Sequence, residues 1–166
     1  MKADTQAFDA ILADVDTPLY IVTVAAGEER GGCLVGFATQ CSIKPPRFGV
    51  WLSKVNRTYR IAQRASTVLV HLLREGDRDL ARLFGGETGD QTDKFRNLEL
   101  EAGPDGCPVI PRCDWFAGSI LDRVDTGDHV AYVLAPWGGK CERRGERQLR
   151  YREISDIEPG HPVPDD

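Results

Sequence analysis

The sequence predicts one mainly β domain, a barrel or a sandwich with two or three short helices. Short runs rich in Val, Ile, Leu and aromatic residues recur along the chain, and each is bounded by Gly, Pro or charged residues. Such runs are typical of strands joined by turns. The helical patterns between them are few and short, which favours a barrel or a sandwich over a Rossmann fold, where long helices alternate with parallel strands.

Composition limits the classes of partner. The chain has 166 residues, a net charge of −5 and 41% apolar residues, which is ordinary for a single compact domain. Its longest apolar run, residues 19–26, is too short to cross a membrane, and no secretory signal pattern is present. Because phosphate binding needs surplus Lys and Arg, the acidic balance argues against nucleic acid. We therefore expect neither nucleic acid nor membrane as a partner.

The first half of the chain alternates helix and strand signals. Residues 4–15 carry apolar side chains at helical spacing, which predicts a short amphipathic helix. Four strands are expected, with the glycine-rich segment 27–32 as the hairpin loop between the first two. Their predicted ranges are Leu19–Val24, Leu34–Cys41, Phe48–Leu52 and Val68–Leu73. Two short helices interrupt them, one from Asn56 to Arg64 and one from Asp77 to Phe84.

The second half begins with a loop over residues 85–111, after which strands resume. We expect them at Trp115–Val124, at His129–Pro136 and, as the last, at Gln148–Ile154. The final nine residues contain three prolines and three acidic residues, a composition typical of a loose tail. The predicted organisation is therefore one domain over residues 1–157 and a tail over residues 158–166.

The cysteines and histidines bear on compartment and metal. Five cysteines form an odd set without a C-x-x-C pair, which favours reduced thiols in a cytoplasmic protein. They are Cys33, Cys41, Cys107, Cys113 and Cys141. The three histidines are scattered, whereas a structural zinc needs four converging ligands. We therefore expect no metal site.

Three polar segments are candidates for chemistry. Ser53–Thr58 places two cations and two hydroxyls where a strand ends and a helix begins, a setting that suits a phosphate; the alternative is a capped helix with a solvated basic surface. Gly36–Ser42 could let a planar ligand approach backbone amides, or it could be a plain strand with alternating faces. Gly127-Asp128-His129 could point an imidazole into a cleft or hold a structural histidine.

In this order the segments resemble the flavin reductase-like family, whose fold is the FMN-binding, Greek-key split β-barrel. The resemblance spans Thr17 to Trp137. It is carried by Ser42-Ile43-Lys44-Pro45-Pro46, similar to the family's S-x-x-P-P, and by Gly127-Asp128-His129, similar to its G-D-H. The chain departs from the family at Gly36-Phe37, where members often carry Asn-Ser or Ser-Ser.

The resemblance implies a homodimer that binds FMN, or sometimes FAD, and reduces flavin with NADH or NADPH for a partner monooxygenase. The residues it implies for the flavin phosphate are Ser53, Lys54, Asn56, Arg57 and Thr58. Those implied to line the isoalloxazine ring are Thr39, Gln40 and Cys41. Phe84, Lys94 and Phe95 would approach the cofactor from a loop, and His129 would be the catalytic residue that faces the nicotinamide.

Two other functions stay open. One is an F420-dependent reductase of the same fold, and the other is a non-catalytic flavin-binding or electron-transfer module. Four large side chains carry more apolar surface than a small barrel readily buries, so we expect some of them to lie in a dimer interface. They are Trp51, Trp115, Phe116 and Trp137.

Overall fold

The computed structural model of the chain describes residues 3–160. Residues 161–166, which hold His161 and most of the predicted tail, lie outside the described residues. Within the described range the α-helices are α1 (Gln6–Ala13), α2 (Arg57–Ala62) and α3 (Arg78–Gly86). The strands are β1 (Tyr20–Ala26), β2 (Glu29–Val35), β3 (Ala38–Ile43), β4 (Pro46–Ser53), β5 (Thr67–Leu72), β6 (Glu101–Ala102), β7 (Pro108–Val109), β8 (Asp114–Asp125) and β9 (His129–Lys140).

Seven strands form one antiparallel sheet in the order β2-β1-β5-β8-β9-β4-β3. Hairpins join β1 to β2, β3 to β4 and β8 to β9, whereas β4 lies beside β9 and not beside β5, which is a Greek-key arrangement. The sheet curls until β2 contacts β4, so that it forms a split barrel. The mainly β fold predicted from the sequence is confirmed.

The barrel interior is filled by alternate residues of the strands, together with one face of α2. Val22 and Val24 of β1 meet Val50 and Leu52 of β4 there, and the ring of Tyr132 from β9 is fully buried among them. β-Branched residues are suited to this position because they pack well on a pleated surface. This core holds β2 and β4 against each other at the edge where the site lies.

Two predicted strands are corrected by the structure. The range Leu34–Cys41 is not one strand, because β2 pairs with β1 while β3 pairs with β4 at the other end of the sheet. The chain therefore has to cross between them, and it does so at Gly36-Phe37. Gln148–Ile154 is not a strand either. The Glu153 carboxylate accepts a hydrogen bond from the Arg150 backbone N–H at 2.8 Å, and the chain turns into a 3₁₀ helix over Tyr151–Ile154.

The predicted N-terminal helix is confirmed as α1, but none of its residues is buried. Its apolar residues stay exposed, with 63% of Phe8 and 64% of Ile11 accessible to solvent. Among the described residues no helix is long and apolar enough to cross a bilayer. The helix therefore presents an apolar face that this single chain does not cover.

His71 of β5 is fully buried and acts as a structural bridge. Its Nε2 accepts the backbone N–H of Ile110 at 3.1 Å, so the ring proton is on Nδ1, which donates to the carbonyl of Ile21 at 3.1 Å. Burial lowers the pKa of this imidazole to about 4, because a charged ring would be desolvated and could not accept the Ile110 N–H. His71 thus ties two strands and a loop together in its neutral form.

This arrangement predicts a loss of stability in mild acid. The pKa of His71 is lower in the folded chain than the ordinary value of 6.5, so the unfolded chain binds more protons as pH falls from about 6.5 to about 4. The free energy of unfolding should decrease across that window by about 3 kcal/mol, at about 1.4 kcal/mol per pKa unit. Urea unfolding at pH 7 and pH 4.5 measures it.

His71→Leu is the matched variant. It should be destabilised at both pH values, since it leaves the Ile110 N–H and the Ile21 carbonyl unpaired in the core. It should also lose most of the dependence on pH. An equally steep dependence in the variant would assign the acid sensitivity to other groups.

Candidate active site

A cavity of about 940 Å³ opens at the edge where β2 and β4 meet. This volume lies near the upper end of the range for small-molecule sites. Its lining is mainly apolar and comes chiefly from six parts of the chain: Phe8, Leu12 and Val15 near α1; Cys33–Phe37; Trp51–Ser53 and Asn56; Phe84–Gly85, Glu87 and Lys94; Asp128–His129; and Tyr151, Ile154 and Ile157. We call it the apolar cavity.

The segment Gly36-Phe37, which follows β2, forms one wall of the apolar cavity. Gly36 and Phe37 cross from β2 to β3, and the Phe37 carbonyl accepts the backbone N–H of Trp51 at 2.9 Å. A Cβ at Gly36 would approach no atom closer than 3.8 Å, so the backbone there is open. Main-chain groups at this position can approach a flat ligand closely.

His129 begins β9 and pairs across the sheet with Ser53, the last residue of β4. Its Nδ1 lies 2.7 Å from a carboxylate oxygen of Asp128, and its ring centroid lies 5.2 Å from that of Phe37. Both His129 and Asp128 line the apolar cavity. The hydrogen bond lowers the pKa of Asp128 and orients the imidazole. The predicted catalytic residue is therefore at the cavity rim, held by two neighbours.

The segment predicted to bind phosphate is divided by the structure. Ser53 and Asn56 line the apolar cavity, and the Asn56 side-chain oxygen caps α2 by accepting the Thr58 N–H at 2.9 Å. Lys54 points elsewhere, to Asp125 at 2.7 Å. Thr58 is buried against β2. Arg57 lines a second, smaller cleft.

That second cleft has a volume of about 400 Å³ and a polar lining, and we call it the polar cleft. It runs between Glu28–Gly32 of the first hairpin, Arg57–Thr58 of α2 and the loop Gly89–Phe95. Lys94 lines both the polar cleft and the apolar cavity. The two spaces therefore adjoin each other at this side chain.

Phe84, Lys94 and Phe95 form the boundary between the two spaces. The two aromatic rings pack edge to face, with centroids 5.7 Å apart. The Lys94 ammonium donates to the carbonyls of Phe84 at 3.0 Å and Gly32 at 3.3 Å. Burial lowers the pKa of Lys94, although Cys33 and Glu87 act in the opposite direction. Phe84 and Lys94 line the apolar cavity and Phe95 lines the polar cleft, so the structure brings this predicted set together.

Thr39, Gln40 and Cys41 lie on β3, the edge strand, where all three are exposed. None of them lines either space in this chain. A bulge follows Gln40, whose side chain donates to the Ser42 carbonyl at 3.2 Å. Their contact with an isoalloxazine ring stays a prediction.

Sequence reasoning missed three contributions to the apolar cavity. Cys33 lines it as a buried thiol, and burial raises its pKa to about 11, which keeps it neutral. Trp51 lines it from β4, and the segment around Tyr151–Ile157 closes one side. The alternation of β4 could have indicated Trp51, but no local pattern marks a C-terminal segment as a cavity wall. Among residues 3–160, no three His, Cys, Asp or Glu side chains group as metal ligands.

Comparisons with known proteins show which family the chain resembles. The sequence profile of the family described as "Flavin reductase like domain" matches residues 12–155. The chain is 30% identical over 117 residues to the stachydrine N-demethylase reductase subunit Stc3 of Rhizobium meliloti (strain 1021), covering 68% of this chain and 50% of that one. It is 27% identical over 128 residues to the FMN reductase (NADH) RutF of Klebsiella pneumoniae (strain 342), covering 76% and 77%.

The fold is likewise shared with solved structures. A flavin reductase domain protein from Arthrobacter sp. FB24 superposes with a TM-score of 0.80 at 21% identity, covering 98% of both chains. The chain spans about half the length or less of several curated relatives, among them Stc3. Its similarity to those proteins therefore concerns one part of each.

Packing at the boundary between the two spaces can be tested with a pair of glycines. A Cβ at Gly32 would lie 2.8 Å from Phe84 and 3.0 Å from Phe95, whereas Gly36 has room for one. Gly32→Ala should therefore lower the free energy of unfolding by about 1–3 kcal/mol, since the aromatic pair must move. Gly36→Ala should change it by less than about 0.5 kcal/mol. Urea unfolding compares the two variants, and equal effects would contradict the close packing at Gly32.

Proposed function

The chain belongs to the flavin reductase-like domain family, and on that premise we propose that it reduces flavin with NADH or NADPH. The proposed cofactor is FMN or FAD, with the nicotinamide dinucleotide as co-substrate. The observation that carries the proposal is the apolar cavity, which combines open backbone at Gly36, a rim histidine at His129 and a buried cation at Lys94.

The residues of the cavity fit a flavin. Its apolar walls suit a flat heteroaromatic ring, and its few polar groups lie at the edges. Lys94 is a buried cation, and the structure places no carboxylate within ion-pair distance of it among residues 3–160. A ligand that carries a phosphate, and that gains negative charge in the reaction, would supply the missing counter-charge.

When bound, flavin supplies the hydride acceptor for the nicotinamide. The chain's own residues bind, orient and exclude water. Val35 and Leu52 contribute buried apolar side chains to the cavity lining and exclude water from it. The main chain at Gly36-Phe37 is available to form hydrogen bonds with the edge of a ring. Asp128 holds the imidazole of His129 at the rim. Lys94 provides a fixed positive charge in the wall, where it stabilises negative charge better than it would in water.

We also propose roles for the polar residues around α2. Three groups are available to bind the phosphate: Ser53, Arg57 and the side-chain NH2 group of Asn56. The helix cap uses only the side-chain oxygen of Asn56, which accepts the Thr58 N–H. Lys54 and Thr58 would act less directly, because one is paired with Asp125 and the other is buried.

The partners proposed are a second copy of the chain and a monooxygenase that receives reduced flavin. The name of the relative Stc3, a reductase subunit of an N-demethylase, supports an electron-supplying role. All five cysteines are free thiols, the state that a reducing cytoplasm maintains, so we propose a cytoplasmic location.

The function is tested by flavin absorbance and nucleotide oxidation. Purified protein should bind added flavin, and it should oxidise NADH or NADPH only when flavin is present, with reduced flavin as product. F420 in place of FMN, under the same conditions, tests the deazaflavin alternative. Flavin binding without nucleotide oxidation would instead indicate an electron-transfer module.

His129→Ala provides the residue-level test. Because the imidazole lies at the rim and is not buried, its loss should slow flavin reduction or raise the KM for NAD(P)H by about tenfold, with flavin affinity nearly unchanged. Stopped-flow reduction of the flavin-loaded variant measures this, and a thermal melt serves as control. A lower melting temperature with an unchanged reduction rate would mean that His129 is structural.

The proposed homodimer is supported by apolar side chains left in solvent, which include Phe8 and Ile11 of α1, Ile43 of β3 and Trp137 of β9. Of the four large residues singled out in the sequence, only Trp137 is strongly exposed, while Trp51, Trp115 and Phe116 are half-buried. Sedimentation velocity at micromolar concentration with flavin present should give the mass of a dimer. Phe8→Glu combined with Ile11→Glu should shift it towards the monomer, and a monomeric wild type would contradict the proposal.

A further inference from the structure

The turn that carries Asp128 and His129 joins β8 to β9, and hydrogen bonds within it define its shape. The backbone N–H and the hydroxyl of Thr126 both donate to the His129 carbonyl, at 3.1 and 2.9 Å. The backbone N–H of Gly127 donates to a carboxylate oxygen of Asp125 at 3.0 Å. Gly127 has a φ of 136°, a conformation that residues other than glycine rarely adopt. The Asp125 carboxylate is therefore part of the turn that presents His129 to the apolar cavity.

Lys54, which follows β4, contacts both ends of this turn from outside the hairpin. Its backbone N–H donates to the Asp128 carbonyl at 2.9 Å, and its ammonium donates to the second oxygen of the Asp125 carboxylate at 2.7 Å. Each Asp125 oxygen thus accepts a different bond, one from the turn and one from Lys54. The preceding residue, Ser53, pairs with His129 across the sheet. Two consecutive residues of the chain therefore hold the turn in place.

The charge of Lys54 also acts on the carboxylate that orients the imidazole. A carboxylate ion only accepts hydrogen bonds, so at the 2.7 Å contact with Asp128 the Nδ1 of His129 carries the proton. That bond from His129 is the main cause that lowers the pKa of Asp128, and the charge of Lys54 acts in the same direction. The bond from Lys54 lowers the pKa of Asp125 as well. Lys54 therefore favours the ionised form of both carboxylates that shape the turn.

The position of the ammonium argues against direct contact with a flavin phosphate. In the part of the chain that the structure describes, Lys54 lines neither the apolar cavity nor the polar cleft, whereas its neighbours Ser53 and Asn56 line the cavity. Its ammonium is already bound to Asp125, so a phosphate would have to displace a carboxylate to reach it. An ion pair this exposed contributes little to the free energy of unfolding, so we expect its effect on the geometry of the turn.

We propose that Lys54 is a positioning residue for the reduction of flavin. With its ammonium on Asp125 and its backbone N–H on Asp128, it holds the imidazole of His129 at the cavity rim, and it does not bind the cofactor. This inference rests on the proposed function, because Lys54 acts only through the residue proposed to face the nicotinamide. The segment Ser53–Thr58 would then serve both ends of the site, the nicotinamide end through Lys54 and the phosphate end through its neighbours.

The test compares Lys54→Met with Asp125→Asn in the flavin-loaded chain. Methionine keeps an unbranched side chain without the charge, and asparagine keeps an oxygen for the Gly127 N–H. Each variant should slow stopped-flow reduction by NAD(P)H, or raise the KM for NAD(P)H, about two- to fivefold, the range of one exposed ion pair. The affinities for riboflavin and FMN should be unchanged. Lys54→Arg should restore most of the wild-type rate, because arginine can also bind the Asp125 carboxylate.

Two further variants separate a positioning role from a structural one. Lys140→Met is the matched control, because Lys140 is exposed to a similar extent, binds Glu142 at 3.4 Å and lines neither space; it should reduce flavin at the wild-type rate. Lys54→Met combined with His129→Ala should be no slower than His129→Ala alone, since residues that act as one unit are not additive. Thermal melts of the Lys54 and Asp125 variants should stay within about 4 °C of wild type.

Each contrary result has a distinct meaning. If Lys54→Met weakens FMN but not riboflavin, the ammonium binds the phosphate and the positioning role is wrong. If Lys54→Met leaves the reduction rate and the KM unchanged, or slows reduction equally with and without the imidazole of His129, Lys54 does not act through that imidazole and the proposal is likewise overturned. These results leave the proposed function standing. A wild-type chain that binds flavin without reducing it would overturn the function and this inference together.

Discussion

Both spaces at the candidate site depend on the close approach of two segments to Gly31 and Gly32 of β2. A Cβ at Gly31 would lie 3.2 Å from the backbone of Thr58, so α2 packs directly on the strand. A Cβ at Gly32 would overlap the Phe84 ring, so the aromatic pair packs there as well. With these contacts in place, the Gly32 carbonyl is within reach of Lys94. Because Gly31 and Gly32 have no Cβ, α2, the aromatic pair and the buried cation can all lie this close to β2.

Buried ionisable groups in this fold fall into three kinds. His71 is kept neutral by its two hydrogen bonds. Asp114 is paired with Arg74 at 2.9 Å; burial alone would raise its pKa, but the hydrogen bonds from Arg74 and from backbone N–H groups lower it to about 2. Lys94 is a cation that donates to two backbone carbonyls and lies 5.8 Å from the centroid of the Phe84 ring, with no carboxylate at ion-pair distance among residues 3–160. The first two kinds are satisfied within the fold. Lys94 lies in the wall of both spaces as a charged group, whereas the thiol of Cys33 beside it is neutral, which is why we assign Lys94 to ligand binding.

The strands and α2 could be predicted from the sequence because their signals are local. Alternating apolar residues and an Asn cap are recognised over a few positions; the cap at Asn56 is confirmed, and so are the strands apart from the two corrected ranges, Leu34–Cys41 and Gln148–Ile154. The break at Gly36-Phe37 could not be predicted in this way, because it reflects which strand each half pairs with across the sheet. For the site, the G-D-H resemblance located His129. The division of Ser53–Thr58 between two spaces depends on where the loop carrying Lys94 packs, which is a long-range contact without a local signature.

The segment Tyr151–Ile157 closes one side of the apolar cavity although it belongs to no strand of the barrel. Further along, the Gly160 N–H donates to the Gly85 carbonyl at the end of α3 and anchors the segment there. Substitutions at Tyr151 or Ile157 can therefore alter the shape of the binding space without disturbing a single strand pairing. In evolutionary terms, the barrel strands must be preserved for folding, whereas the segment Tyr151–Ile157 can change with the substrate.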